Sequence, residues 1–327
     1  MVVCACLSVL GALFAPAHWF LDGLGQFLLP SLALLAAAPV FLIATLILGT
    51  LSTRHAVTIP AALVALMAGS SIVQDPPVTV PEGGTVLSVY QHNIYVENIV
   101  IERVVETVER EDPDIIALVE VRDDSIAPWV RRLRQRWPYM GAARSEPDTY
   151  GRLRLFSKYE IIDYVARKRD GEPATLRARL ATPSGEVTVF VTHFTRPWPF
   201  REPAAQERHF TALKAMLDEI SGPLVLLGDF NSTPWGRLGR PLQEAYGFQL
   251  ANRRSVGTWP GRVNVDDMMD TAGVPRWFAI PIDLAFCRDG AVCTDHQVHM
   301  NLGSDHRYTT FDVHLPPAGE ARASDAP

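Results

Sequence analysis

Lysine is scarce in this chain: Lys158, Lys168 and Lys214 are the only three among 30 basic residues, and arginine supplies the rest. Acidic residues outnumber the basic ones at 36, so the formal net charge is −6. That balance excludes the broad positive face on which tight, sequence-independent nucleic-acid binding depends, while a local arginine patch stays open. RRLRQRW at 131–137 and RKR at 167–169 could form one, and each reads more simply as a solvated helix face and a turn. Cysteine is sparse too, with four in all and no Cys-x-x-Cys pair, which excludes the usual thiolate metal frameworks. Cys4 and Cys6 lie in an apolar stretch and read as small apolar residues. No internal repeat is present.

Charge of either sign is nearly absent from the first 80 residues, where Asp22, Arg54 and Asp75 stand alone. Apolar stretches fill this part at roughly 2–20, 27–50 and 57–73. About 20 apolar residues cross a bilayer as a helix, so three transmembrane helices are expected in a membrane anchor of 1–74. Arg54 lies between the second and third stretches and Asp22 between the first two. The positive-inside rule then places the Arg54 loop in the cytoplasm. A multi-pass cell-membrane protein follows, with everything after Asp75 extracytoplasmic. DPPVTVPEGG at 75–84 reads as a linker, 85–316 as a charged domain, and 317–327 as a polar, Ala-rich tail.

Within the charged domain, LVLLGDFNSTPW at 224–235 is the informative stretch. Leu224 to Leu227 suit the middle of a sheet covered on both faces. Asp229 and Asn231 follow on alternate positions, so both side chains leave the strand end on one face. A carboxylate and an amide at the edge of a core are costly to bury without partners. Alone, the stretch reads equally well as a strand closing in an Asx-type turn before Pro234.

The pattern recurs. TVLSVYQHNI reads as a strand ending at Asn93, a helix follows over 98–111 with Asn98 as N-cap, and PDIIALVEV is a second strand ending at Glu120. After a helix near 129–137, strands are expected at 152–157, 161–166, 175–181 and 187–194, the last delivering His193. A helix over 204–220 leads into Asp229. IPIDLAFC and RYTTFDVHL close the domain as strands, with Asp283 in the first and Asp305 and His306 just before the second. In CRDGAVC, Asp289-Gly290 is a hairpin-turn signal, so its strands would bring Cys287 and Cys293 within disulfide range in an oxidising compartment.

Eight polar residues therefore end apolar runs: Asn93, Glu120, His193, Asp229, Asn231, Asp283, Asp305 and His306. Any one is explained by a cap or a turn. Together they point to a single crevice, because strand ends in sheet-based folds gather where ligands bind. Oxygen donors with histidines suit a hard divalent ion and an anionic substrate.

QHNI, IIALVEV, VTHF, LLGDFNSTPW, PIDLAF and GSDHRYTTFDV, in this order over about 86–315, resemble the endonuclease/exonuclease/phosphatase superfamily. GDFN with a later SDH is the specific combination, and the likeness is nearest to bacterial members with N-terminal membrane helices. The resemblance implies an α/β fold, a four-layer sandwich of two mixed β-sheets flanked by helices and preceded here by the transmembrane helices. It implies Glu120 as principal Mg²⁺ ligand, with Mn²⁺ as a substitute, Asn93 beside it, and Asp305 as a further contributor. Asp229 and Asn231 resemble the pair that positions or activates the attacking water, and His193 the donor to the phosphate. His306, held by Asp283, resembles either the base or a stabiliser of the pentacoordinate transition state. Arg152 stands where many relatives carry an amide, and as a fork-shaped donor it would meet phosphate.

Beside His193, RPWPFREP would place Trp198 and Phe200 at the crevice mouth, against substrate or lipid, or simply packed in a Pro-rich loop. The function expected is a membrane-anchored, metal-dependent phosphoesterase acting on phosphodiester or phosphomonoester bonds. A DNA or RNA endonuclease of the same superfamily is the alternative, and a binding module that has lost catalysis is the contrasting class. A degenerate member would have lost one of the charged positions, and all are filled here. The implied partners are a phosphate-ester substrate (lipid headgroup, nucleic acid or small molecule) and the membrane; no protein partner is implied.

Overall fold

The computed structural model describes residues 2–49, 58–144, 152–167, 175–197, 203–263 and 273–318. Arg54, Trp198, Phe200 and the tail from 319 lie outside the described residues. The apolar N-terminal part forms helices α1 (Val2–Phe14), α2 (Trp19–Gly25), α3 (Leu28–Ile47) and α4 (Thr58–Ile72). With 20 residues, α3 spans ~30 Å at 1.5 Å per residue and is the one helix, among the described residues, long and apolar enough to cross a membrane. The first and third expected spans are shorter as helices, at 13 and 15 residues. The first breaks at Ala15–Ala17, a 3-10 turn containing Pro16, whose missing N–H ends the helical ladder. Helix α2 then folds back on α1 so closely that a Cβ at Gly11 would lie 2.6 Å from the Gly25 nitrogen. At the other seam, Gly69 of α4 meets Leu28 and Leu32 of α3, so the end of α4 packs beside the start of α3 and the two run antiparallel.

The charged domain opens with strand β1 (Val86–Asn93), helix α5 (Ile101–Glu111) and strand β2 (Ile115–Val121), and β1 and β2 are parallel. Val104, Val105 and Val108 recur at helical spacing and are buried. Asn98 does not cap α5 with its side chain, contrary to expectation. Val100 holds the cap position, and the Asn98 amide accepts from the Val100 N–H and donates to the Leu302 carbonyl. Helix α6 (Asp123–Leu133) and strands β3 (Tyr139–Arg144), β4 (Arg152–Ser157), β5 (Glu160–Arg167), β6 (Thr175–Thr182) and β7 (Gly185–His193) follow. Helix α7 (Ala204–Leu217) crosses to β8 (Leu224–Asp229), parallel to β7. The chain closes with α8 (Gly239–Glu244), β9 (Gln249–Leu250), β10 (Asp283–Arg288), β11 (Val292–Val298) and β12 (Thr309–His314).

Among the described residues two mixed six-stranded sheets result, in the orders β11-β12-β1-β2-β4-β3 and β5-β6-β7-β8-β10-β9. Each has one β-α-β crossover at its centre. Alternation sorts the side chains: Leu87 and Val89, Val189 and Val191, and Val225 and Leu227 share the core between the sheets. Their neighbours face outward, Tyr90 and Ile116 against α5 and α6, and Leu224 and Leu226 against α7 and α8. The layers are helix, sheet, sheet, helix.

Cys287 and Cys293 are joined by a disulfide with Cα atoms 5.8 Å apart. The Asp289-Gly290 turn is present, with φ of 55° and 90°, but its arms do not form a hairpin ladder. β10 belongs to one sheet and β11 to the other, so the bond staples the sheets across their shared core.

Candidate active site

Parity along the strands brings the site together. Asn93 continues the inward face of Leu87 and Val89, His193 that of Val189 and Val191, and Asp229 that of Val225 and Leu227. Asp283 lies opposite Asp229 in the antiparallel register and His193 opposite it in the parallel one. Glu120 is out of phase: Ile115, Ala117 and Val119 face inward, so plain alternation would turn it towards the helices. A register shift between Leu118 and Val121, with Glu120 at φ +57°, swings its carboxylate back to the others. Gly228 permits close approach from the other side, since a Cβ there would lie 1.9 Å from the Thr192 carbonyl oxygen.

Asn93 is the hub. Its Nδ2 donates to Glu120 Oε1 and to Asp229 Oδ2, both at 3.0 Å, while its Oδ1 accepts from the Tyr95 N–H at 3.1 Å. The Asn231 N–H fixes Asp229 Oδ1 at 2.8 Å, and the Asn231 amide donates to the Phe194 carbonyl and, at 3.3 Å, to the same Asp229 Oδ2 that Asn93 holds. His306 Nδ1 bonds Asp283 Oδ2 at 2.8 Å, and its Nε2 lies 3.7 Å from Asp229 Oδ2. His193 Nε2 sits between Glu120 and Asp229, at 3.5 and 3.7 Å. Ser304 explains the SDH motif: its hydroxyl donates to the Asn93 carbonyl and accepts the His306 N–H, locking one strand end to the next.

Burial pushes the Asp229 carboxyl up to about 6, against the lowering influence of His306. Burial disfavours the His306 cation, yet the carboxylates of Asp283, Asp305 and Asp229 and the Asp283 hydrogen bond outweigh it. They hold the imidazole well above its ordinary value.

Glu120, His193 and Asp229 present ligating atoms within 4.8 Å of one another, and Asp229, Asp283 and His306 form a second such group. Among the described residues no lysine or arginine bonds these carboxylates, and Asp283 Oδ1 is buried without a partner. Convergent oxygen donors with little compensating charge fit a hard divalent cation, with partly open Glu120 as its first ligand. Asp305 lines the same cavity but belongs to neither group, and its Oδ2 accepts from Trp259 Nε1 at 3.1 Å.

Arg152 is not among the residues lining the cavity. Asp123, at the start of α6, engages its guanidinium together with that of Arg154. The cavity, of about 220 Å³, also has walls that the strand-end pattern did not single out: Tyr95, Arg196, Trp259, Ile282 and, from the N-terminal helices, Gln26. Arg196 follows His193 by three residues, so the strand-end rule extended into the next loop would have found it. Gln26 carried no such signal.

The Endonuclease/Exonuclease/phosphatase family matches residues 90–306. Among solved structures, an endonuclease/exonuclease/phosphatase from Beutenbergia cavernae DSM 12333 is 19% identical, with a TM-score of 0.54, covering 71% of this chain and 72% of its own. Another from Bacteroides vulgatus is 18% identical, with a TM-score of 0.55 and coverages of 71% and 99%. The human Nocturnin catalytic domain with bound sulfate anion is 16% identical, with a TM-score of 0.51 and coverages of 70% and 94%. No curated protein matches the chain. The structural likenesses are of fold, whereas the family match runs from the middle of β1 to the histidine held by Asp283. The chain belongs to the endonuclease/exonuclease/phosphatase family, whose members hydrolyse phosphoester bonds.

Proposed function

We propose that this protein is a membrane-anchored, Mg²⁺-dependent phosphoesterase whose catalytic domain faces outward from the cytoplasm. The observation that supports it most is the meeting of Glu120, His193, Asp229 and His306 in one cavity, within ion-pairing reach, with Asn93 hydrogen-bonded to Glu120 and Asp229. A divalent ion held by Glu120, with Asn93, Asp229 and Asp305 around it, would neutralise phosphoryl oxygens as a Lewis acid.

The chain's own groups supply the rest. Asp229, held at Oδ1 by the Asn231 N–H, offers Oδ2 to a water and takes its proton as the water attacks phosphorus in line. His306 is kept cationic by Asp283, so it is the poorer base. With His193 it donates to the phosphoryl oxygens, where charge grows in the transition state.

The membrane assignment is supported by α3 and by the outer face of its far half, where Val40, Phe41, Ile47 and Leu48 are 66–80% exposed and call for apolar surroundings. The outward orientation is supported by the inter-sheet disulfide, which persists in oxidising compartments. Duplex DNA is the less favoured substrate. Most of the arginines that could have formed a basic face are paired internally: Arg132 with Glu109, Arg136 with Asp112, and Arg152 and Arg154 with Asp123, while Arg134 donates to the Pro138 carbonyl.

A hydrolysis screen over phospholipids, phosphoinositides, DNA and RNA, with Mg²⁺, Mn²⁺ and chelator, tests the proposal. Metal-dependent hydrolysis of at least one class is expected, and no hydrolysis of any class contradicts it.

A further inference from the structure

Gln26 belongs to the apolar N-terminal helices, yet it lines the cavity that holds Glu120, His193, Asp229 and His306. It ends α2 two residues before α3 begins, and it is only 1% exposed. Its Nε2 is buried and has no hydrogen-bond partner among the described residues. An amide donor in that position is costly to keep unless something else accepts from it.

The placement is built rather than incidental, because the segment after the catalytic pair clamps the helices from several sides. The Trp235 indole N–H donates to the Gly25 carbonyl at 2.7 Å, and the Arg237 N–H to Asp22 Oδ1 at 3.1 Å. Arg240 caps the end of α1 through the Leu13 and Ala12 carbonyls. Trp235 itself packs in the helices' own apolar cluster with Leu28 and Leu29.

We infer that Gln26 is a substrate-binding residue that donates its amide N–H to a phosphoryl oxygen, and that the substrate is the phosphate ester of a membrane lipid. The inference rests on the phosphoesterase reading of the same cavity. Depth supplies the substrate class. Gln26 caps α2, which begins with Trp19 and Phe20, and immediately precedes the membrane-length helix α3, and aromatic residues beside such a helix mark the membrane–water interface. A phosphate that meets both Gln26 and the strand-end residues lies at headgroup level, where the apolar part of a lipid remains in the bilayer. A soluble substrate needs no contact with this unit.

The full chain, reconstituted in vesicles of phosphatidylcholine, phosphatidylglycerol and sphingomyelin with Mg²⁺, provides the test. Bis(p-nitrophenyl) phosphate serves as the soluble probe, orthophosphate as the inhibitor and plasmid DNA as the competing substrate. Gln26→Met keeps the side-chain length and removes the donor; Gln26→Glu replaces the donor with a like charge.

The wild type is expected to release a headgroup. Gln26→Met is expected to raise KM on the vesicles about tenfold and to weaken orthophosphate inhibition similarly, at an unchanged or higher melting temperature, since an unsatisfied buried donor has been removed. Gln26→Glu is expected to weaken both further. Unchanged KM and orthophosphate inhibition in a folded Gln26→Met overturn the assignment of Gln26, as does a lowered melting temperature with binding intact. A wild type that cleaves plasmid DNA and no lipid overturns the substrate class and leaves the phosphoesterase standing. A wild type that cleaves no phosphoester at all overturns the reading of the cavity itself.

Discussion

Two charged regions lie close together in this domain and are built on opposite principles. On the α6 side, Asp123 engages Arg152 and Arg154, Glu109 engages Arg132, and Asp112 engages Arg136 and Lys158. Each carboxylate there meets a cation of the chain itself. In and just behind the cavity, Glu120, Asp229, Asp283 and Asp305 converge with two histidines and two asparagines, and none of these carboxylates bonds an arginine or lysine among the described residues. The first region is satisfied by folding alone. The second is completed by what it binds, and like-charge convergence of this kind is the usual mark of a functional site rather than of a stabilising one.

Substitutions should therefore separate activity from stability in the cavity and join them on the α6 side. The largest effect is expected at Glu120: Glu120→Gln should lower kcat/KM by at least about 10³-fold while leaving the chelator-treated melting temperature equal to or above that of the wild type. Steady-state kinetics with thermal melts check both halves. Next, a saturating divalent ion should stabilise the wild type by binding only the folded state, by ~2.7 kcal/mol at a hundred times its dissociation constant, and should add little to Glu120→Gln. Urea titrations with and without Mg²⁺ measure the difference. On the α6 side, Asp123→Ala should destabilise by about 2 kcal/mol, between the values for exposed and for fully buried pairs because Asp123 keeps more than a third of its surface in water. Equilibrium unfolding reads this loss, and an activity loss larger than the unfolding explains would blur the contrast between the regions.

The last effect, confined to acid pH, concerns buried histidines that neither region uses. Burial lowers the pKa of His92 to about 4, and those of His209 and His296 to about 3. The unfolded chain takes up these protons below about 6.5 and the folded chain does not, so stability falls as pH drops from there towards the folded values. Each histidine contributes on the order of 1.4 kcal/mol per pH unit. His209, stacked on Phe194 and bonded to Thr175, is the simplest to remove, and His209→Gln should flatten the profile by about one proton between pH 6 and 4. Unfolding free energies measured across that range decide it.

The strand-end residues were legible because each apolar run is broken by one polar side chain whose parity shows the face it shares. Asn93, His193 and Asp229 fall out of that rule directly. Glu120 does so only by position, since alternation gives it the wrong face and the left-handed bulge that corrects it leaves no local mark in VEVRDD. Arg152 looked like a phosphate donor because only its place in the strand was visible, whereas Asp123, 29 residues earlier, decides where its charge goes. The disulfide was legible from the spacing of its cysteines, but the passage of the chain from one sheet to the other was not, because a Asp-Gly turn looks the same in either setting. Gln26 was hidden most deeply. It is a lone amide between apolar helices, brought to Asp229 by contacts more than 200 residues away along the chain.

Hydrolysis of bis(p-nitrophenyl) phosphate by the full chain, followed with Mg²⁺, with excess chelator and with Asp229→Asn, tests the central claim most directly. The claim requires turnover with Mg²⁺ that is lost in chelator and lost again, by at least about 10³-fold, in a folded Asp229→Asn. Undiminished turnover by folded Asp229→Asn in chelator contradicts it.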